Sequence, residues 1–299
     1  MFSVLGLVGL YWLVLTGCAS QPANNTPLKD DAPLVENTPS SDPVKLAAFN
    51  VQIFGVSKMG KPEVVATLVD ILGRYDIVLI QEIRDASETA IHELLSQLNA
   101  KHNGAYELLL APRAGRTSSK EQYAFIYKSE AMTVLSSYTY DDGIEPDADT
   151  FEREPFVVYA DIKGLTVNLI PIHTKPDDAV AEISALVAVY DDARTRSTDD
   201  DAILMGDFNA DCSYVSASDW NNIALKTDQR FEWLIDLSVD TTVKTTDCTY
   251  NHFVITDTLQ TKVQTGSAKV FDFAAAYGMT TDKADDVSDH YPIEMILQP

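Results

Sequence analysis

Ala202-Ile203-Leu204-Met205-Gly206-Asp207-Phe208-Asn209-Ala210-Asp211-Cys212 decides how this chain is read. Its apolar first part has the length and composition of a buried strand. A glycine, a carboxylate and a carboxamide follow at the strand's C-terminal edge, where α/β sheets build their sites. Asp and Asn are common turn residues, so Gly-Asp-x-Asn by itself is weak. It gains weight from its company. Ile77-Val78-Leu79-Ile80-Gln81-Glu82 is a second apolar run closing on a carboxylate, and Asn168-Leu169-Ile170-Pro171-Ile172-His173 is a third closing on a histidine. Phe49-Asn50 closes the first strand, and Ser288-Asp289-His290 lies near the C-terminus.

Outward from these segments, strand and helix signals alternate. Strand-like runs cover residues 45–54, 77–81, 106–111, 122–127, 132–140, 156–162, 165–172 and 202–205, with more after Cys248. Helical periodicity covers residues 62–74, with Pro62 in the first turn and Val65, Leu68, Val69 and Leu72 on one face. It recurs at 87–100 and at 177–194, where Val180, Ile183, Leu186, Val187 and Tyr190 share a face. Many strands and few long helices predict an α/β fold, a layered sandwich of two packed sheets with outer helices.

The chain has 299 residues, of which 45% are hydrophobic, which supports a sizeable core. The formal net charge of -23 is the opposite of what a tight, non-specific nucleic-acid binder carries. It leaves room for a transiently acting nuclease with a local basic path and metal ions to offset phosphate charge. Met1 to Gly17 is uncharged and mostly apolar and runs into Leu15-Thr16-Gly17-Cys18. This resembles a bacterial lipoprotein signal whose cleavage leaves Cys18 lipidated, although no Lys or Arg precedes the apolar run. The alternative, an uncleaved anchor, is short against the ~20 residues that a membrane helix needs. Residues 1–18 are therefore read as the signal. Residues 19–43, rich in Pro, Asn, Ser, Thr and Asp, are read as a flexible tether, and 44–299 as the folded domain. The expected location is outside the cytoplasm: an outer-membrane lipoprotein held by a lipid anchor, or an extracellular or periplasmic protein. Cys212 and Cys248 are the other two of three cysteines, and an oxidising compartment makes them a natural disulfide. Two separate buried thiols are the alternative.

Asn50, Glu82, Asp207, Asn209 and Asp289 are oxygen donors suited to Mg²⁺ or Ca²⁺. Of five histidines, His173 and His290 stand beside these groups, and imidazole titrates where proton transfer is useful. His92, His102 and His252 read as ordinary surface or core residues. Arg84, Arg113, Arg116, Lys120 and Arg153 fall in the segments expected to surround the site, five of 22 basic residues.

These residues carry a resemblance to the deoxyribonuclease I family of the endonuclease/exonuclease/phosphatase superfamily. It runs from about Lys45 to Leu297 through Leu46-Ala47-Ala48-Phe49-Asn50, Tyr75 to Asp85, Thr150-Phe151-Glu152-Arg153-Glu154-Pro155, Asp178 to Ile183, Leu204 to Val215, Asp240-Thr241-Thr242, Phe271-Asp272-Phe273, Ala275-Ala276-Tyr277-Gly278 and Ser288-Asp289-His290-Tyr291-Pro292. The resemblance implies a four-layer α/β sandwich of two packed mixed sheets and outer helices. It implies a monomeric, divalent-metal-dependent endonuclease that cuts DNA to 5′-phosphate ends. Mg²⁺ or Mn²⁺ would be held by Glu82, Asp207, Asn50 and Asp289. His173 and His290 would act as acid and base, with Glu121 orienting His173, Asn251 in the position that orients His290, and Asp207 and Asn209 beside them. Arg84, Arg153, Arg116 and Tyr250 would contact DNA. Cys212 and Cys248 match the family's larger disulfide. Asp142, Asp149 and Glu154 would form a structural Ca²⁺ site.

Departures from the family pattern are informative. Asn251 replaces the aspartate expected beside His290, and Ser119 replaces a tyrosine that enters the DNA minor groove. Gln52 replaces an arginine. The segment 143–147 lacks a second disulfide, and Lys244 interrupts a second calcium loop. The rival functions are hydrolysis of phospholipid or phosphoinositide head groups, and DNA or protein binding by a catalytically weakened homologue. The signal reading predicts that Cys18→Ser abolishes lipid labelling and releases or misprocesses the protein; labelling that persists in this variant contradicts it.

Overall fold

The computed structural model describes residues 42–117, 120–143 and 149–299. The signal with Cys18, all of the tether before residue 42, Ser119 and residues 144–148 lie outside the described residues. In chain order the first half comprises β1 (Val44–Phe54), α1 (Val56–Met59), α2 (Pro62–Leu72), β2 (Ile77–Ile83), α3 (Thr89–Lys101), β3 (Tyr106–Leu110), β4 (Gln122–Lys128) and β5 (Thr133–Thr139). It continues with β6 (Phe156–Ile162), β7 (Leu165–His173), α4 (Ala179–Ser197), β8 (Ala202–Asp207), α5 (Ala224–Thr227) and β9 (Phe231–Trp233). Last come β10 (Asn251–Thr256), β11 (Lys269–Val270), α6 (Phe273–Ala276), α7 (Thr281–Val287) and β12 (Ile293–Leu297).

Two six-stranded sheets result, ordered β11-β12-β1-β2-β4-β3 and β5-β6-β7-β8-β10-β9. Each is mixed, with one parallel pair near its middle, β1–β2 in the first and β7–β8 in the second. The central strands read as continuous apolar runs because both of their faces are covered. In β1, Leu46 and Ala48 point between the sheets, whereas Ala47, Phe49 and Val51 pack under the helices. In β8, Ile203 and Met205 point inward and Ala202 and Leu204 outward. This period of two divides the apolar residues among three layers. One lies between the sheets, one between the first sheet and α2, α3 and α7, and one between the second sheet and α4 and α5. The architecture is the expected α/β four-layer sandwich. Among the described residues no helix is long and apolar enough to cross a membrane.

One local expectation needs correction. The third helix starts with a 3-10 turn, Pro176–Asp178, before α4, and its buried stripe is Ala179, Glu182, Ile183, Leu186, Val189, Tyr190 and Ala193. Val180 and Val187 lie at the margin, half-buried. Ile183, Leu186 and Tyr190 lie on the expected face, and the centre of the stripe falls one step to their side, taking in Glu182 and Val189. The three residues of β9 are too few to show any period. Cys212 and Cys248 are bonded, with Cα atoms 5.8 Å apart, which removes the two-thiol alternative. The bond spans 36 residues. In the chain-entropy model, closing such a loop stabilises the fold by about 4 kcal/mol.

Candidate active site

The parallel pairs place their C-terminal ends together, so β1 and β2 deliver Asn50 and Glu82 toward the His173 and Asp207 delivered by β7 and β8. Asn50 Nδ2 donates to Glu82 Oε1 at 3.1 Å and to Asp207 Oδ2 at 3.0 Å, joining one sheet to the other. Just behind, Gln81 Nε2 donates to the carbonyl oxygen of Ile172 at 2.6 Å, a second buried bond between the sheets. Gly206 makes room for it. Its φ is +132°, and a Cβ there would stand 2.4 Å from that carbonyl oxygen and 2.7 Å from Gln81 Nε2.

Four non-glycine residues around the site are left-handed: Gln52 (φ 46°), Ile53 (φ 49°), Glu82 (φ 60°) and Asn209 (φ 47°). Such backbone costs about 1–3 kcal/mol per residue unless the surroundings fix it. Here the site side chains capture the strained turns. Asn50 Oδ1 accepts from Gln52 N at 2.9 Å, Glu82 Oε2 from Ile53 N at 2.8 Å, and Asp207 Oδ1 from Asn209 N at 3.0 Å. The strand ends and the functional groups therefore specify each other.

Asp207 is buried, and both histidines converge on its Oδ2, His173 Nε2 at 3.6 Å and His290 Nε2 at 3.4 Å. His173 Nδ1 lies 2.9 Å from Glu121 Oε2. Burial and the Arg153 charge push the His173 ring down, but the Glu121 hydrogen bond and the Asp207 and Glu121 charges outweigh them and raise it. Burial alone would raise the Glu121 carboxyl; the His173 hydrogen bond, with the charges of His173, Arg153 and Arg84, holds it at about 2. Glu121 is thus an acceptor toward His173. His290 Nδ1 faces Asn251 Nδ2 at 3.2 Å instead. The backbone holds His290 by its N–H to Ser288 Oγ at 3.1 Å, while Ser288 Oγ donates to the Asn50 carbonyl at 2.7 Å.

Arg84 Nη2 bridges Glu121 Oε1 at 2.8 Å and Glu82 Oε2 at 3.3 Å. Arg153 is buried and clamps the end of β7, donating from Nε to the His173 carbonyl and from Nη2 to the Thr174 carbonyl, each at 3.0 Å. Asn209 Nδ2 donates to the same Thr174 carbonyl at 3.0 Å. Arg116 is exposed and binds the Asp149 carbonyl at 2.8 Å, with Glu152 Oε2 at 3.6 Å. Arg113 donates to the Arg84 and Lys120 carbonyls. Tyr250 is half-buried, with its ring 6.1 Å from His290 and 5.6 Å from Tyr214. Asp142, Asp149 and Glu154 bring carboxylate oxygens within 4.8 Å of one another. Burial, then repulsion from Asp142 and Asp149, raises the Glu154 carboxyl. Lys244 pairs with Asp285 at 2.9 Å. His92 is exposed, His102 packs edge-on against Tyr106, and His252 is buried, all three as expected of surface or core residues.

Among the buried charged groups, Lys58 and Glu182 escaped the sequence reading. Lys58 donates through Nζ to the carbonyls of Val51 and Val287, each at 2.7 Å, and so joins the end of β1 to the turn before Asp289. Burial brings its ammonium down to about 8, against the opposing pull of Asp289 and Glu82. In the sequence it sits in a short polar turn, and one of the two carbonyls that hold it belongs to the distant Val287. Glu182 accepts from Glu152 N at 3.0 Å and Lys175 N at 3.2 Å, and burial raises it to about 7. It did leave a signal: a carboxylate at a core position of an amphipathic helix.

The donor set fits a hard divalent ion. Glu82, Asn50, Asp207 and Asp289 offer oxygens and no thiolate, and Asp289 Oδ1 is buried without a hydrogen-bond partner. The acidic trio at Asp142, Asp149 and Glu154 offers a second all-oxygen set.

A model of the endonuclease/exonuclease/phosphatase family matches residues 47–290. Deoxyribonuclease-1 of Oryctolagus cuniculus is 45% identical over 259 residues, covering 85% of this chain and 92% of the rabbit protein. Deoxyribonuclease-1 of Homo sapiens is 44% identical over 262 residues, with the same coverage of 85% and 92%. Among solved structures, humanized D. rerio TDP2 superposes with a TM-score of 0.59 at 13% identity, covering 86% of this chain and 99% of that one. The human Nocturnin catalytic domain gives 0.58 at 13% identity, covering 85% and 94%. The two structural likenesses speak for the fold alone.

His252 yields a stability prediction. It lies against Phe208 and Trp233, and burial lowers its ring to about 4, opposed by the hydrogen bond to the Thr249 carbonyl. With the folded value below the unfolded ~6.5, its stabilising share is full above pH 6.5 and is lost as pH falls toward 4. Relative to His252→Phe, wild-type stability should drop by up to about 3 kcal/mol across that window. Equal pH dependence of the two denaturant midpoints contradicts this reading.

Proposed function

The chain belongs to the endonuclease/exonuclease/phosphatase family, in its deoxyribonuclease I branch, and from that premise we propose that it is a divalent-metal-dependent endonuclease hydrolysing DNA phosphodiester bonds to 5′-phosphate ends. The observation that carries the proposal is the convergence of His173 and His290 on one buried carboxylate oxygen of Asp207, at 3.6 and 3.4 Å. It occurs in a chain 45% identical to a deoxyribonuclease over 85% of its length.

Glu82 and Asp207, with Asn50 and Asp289, would hold Mg²⁺ or Mn²⁺. Such an ion stabilises charge developing on phosphate oxygens. Glu121 keeps a proton on His173 Nδ1, which leaves Nε2 free to take the proton of the attacking water. His290 meets the scissile phosphate from the other side of Asp207. Asn209 fixes the loop after β8. Arg84, Arg116 and Arg153 form the cationic side of the DNA path, with Arg153 also holding His173 in place. Tyr250 lies against the scissile group. Asp142, Asp149 and Glu154 would bind structural Ca²⁺ and so tie down the loop that carries Arg116. The disulfide supports export to an oxidising compartment. The lipid anchor on Cys18, an outer-membrane or periplasmic location and a monomeric state complete the proposal.

Plasmid nicking should appear with Mg²⁺ or Mn²⁺ and vanish in excess EDTA. His173→Ala and Glu82→Ala should each lose about 10²-fold or more in turnover with unchanged thermal unfolding. Nicking that is indifferent to EDTA, or either variant with near wild-type turnover, defeats this assignment.

A further inference from the structure

Among the proposed metal ligands, Asp289 is the one outside the strands. Asn50, Glu82 and Asp207 belong to β1, β2 and β8, whereas Asp289 lies in the turn between α7 and β12. Its Oδ1 is buried without a hydrogen-bond partner, so that oxygen is aimed by the backbone that carries it. Val243 N holds this backbone from one side, donating to the Asp289 carbonyl at 2.9 Å. From the side of β1 come two stitches on consecutive residues. Ser288 Oγ donates to the Asn50 carbonyl at 2.7 Å, and Lys58 Nζ joins the carbonyls of Val287 and Val51, each at 2.7 Å. A single bond would let the turn swing about it; two side by side fix its direction.

Both carbonyls that Lys58 holds stand where regular pairing stops. Val287 ends α7, and the last carbonyls of a helix have no partner within it. Val51 precedes the left-handed Gln52 and Ile53, which interrupt the pairing of β1 with β2. Serving both from one point takes a donor with more than one proton, and an ammonium has three where a hydroxyl has one. Burying that ammonium carries a cost that a surface lysine does not bear, and Lys58 is buried.

Resting on the metal-dependent reading above, we propose that Lys58 is a positioning residue for the divalent ion: it holds the turn 287–289 against the end of β1 and so aims the Asp289 carboxylate at the oxygen set of Glu82, Asn50 and Asp207. It touches neither the ion nor the substrate and acts through the two carbonyls alone. The set is thereby assembled from opposite ends of the chain, since Lys58 and Val287 are 229 positions apart.

Mn²⁺ binding, followed by EPR of the free ion, tests this. The site to be read is the one that Glu82→Ala removes. Lys58→Met has a side chain of similar length with no proton to give. It should bind Mn²⁺ there about 10- to 100-fold more weakly than wild type, the usual cost of losing a support behind a metal ligand. If Lys58 acts through Asp289, the loss disappears once Asp289 is gone. Asp289→Ala alone and Asp289→Ala combined with Lys58→Met should then bind equally, whereas a lysine that merely supports the fold weakens binding by the same factor in both backgrounds. Lys58→Arg keeps donors for both carbonyls on a longer, planar group. It should fold, and should bind Mn²⁺ more weakly than wild type only while Asp289 is present, so the test stands even where Lys58→Met does not fold.

Wild-type affinity in folded Lys58→Met, or in Lys58→Arg where Lys58→Met does not fold, overturns the proposal, as does a loss of equal size with and without Asp289. Wild-type protein with no Mn²⁺ site sensitive to Glu82→Ala overturns it together with the metal reading. Protein that binds the ion as expected but leaves plasmid DNA intact defeats the DNA-hydrolysis reading alone and leaves the assignment of Lys58 standing.

Discussion

The carboxylate of Asp207 is the constraint on which the rest of the site depends. One oxygen receives Asn50 from the opposite sheet and lies against both histidines, and the other closes the turn at Asn209. A buried anion is tolerated only where donors or a cation surround it. Asp207 sits 1% exposed, so the strand ends must bring those donors to it. Packing and chemistry meet here. The layers between the sheets and under the helices set where β1, β2, β7 and β8 end, and those four ends are what the carboxylate organises.

Much of this was legible in the sequence, for a physical reason. Strands buried on both faces are continuous apolar runs, so their ends are marked by the first polar residue, and here those residues form the candidate site. Asn50, Glu82, His173 and Asp207 could be read that way. Lys58 could not, because one of the two carbonyls that hold it belongs to Val287, more than two hundred positions away, and nothing local distinguishes it from a surface lysine. Glu182 could have been read from its place beside Ile183 and Leu186 on the apolar stripe of α4. Asn251 stood out as a departure from a family pattern. Its amide contacts, to His290 Nδ1 and the Tyr291 carbonyl, exist only in three dimensions.

The acidity of the chain bears on how it meets a polyanion. Its net charge is -23, and the cations nearest the site are already engaged: Arg84 by Glu82 and Glu121, Arg116 by Asp149 and Glu152, and Arg153 by backbone carbonyls. These pairs fix geometry more than they supply free positive potential. Attraction for phosphate at the reacting centre would then rest on a divalent ion held among Glu82, Asn50, Asp207 and Asp289, the proposed ligands, with the arginines shaping the path around it. An enzyme so built would grip its substrate weakly away from the site and engage it strongly only where the chemistry occurs.

The chemistry of the site turns on whether the oxygen set around Asp207 binds the ion. Anomalous diffraction from a crystal soaked in Mn²⁺ tests this most directly. The account predicts a peak in bonding contact with Glu82 and with at least one oxygen of Asp207, Asn50 or Asp289. A peak confined to Asp142, Asp149 and Glu154, with none at the strand ends, would contradict it.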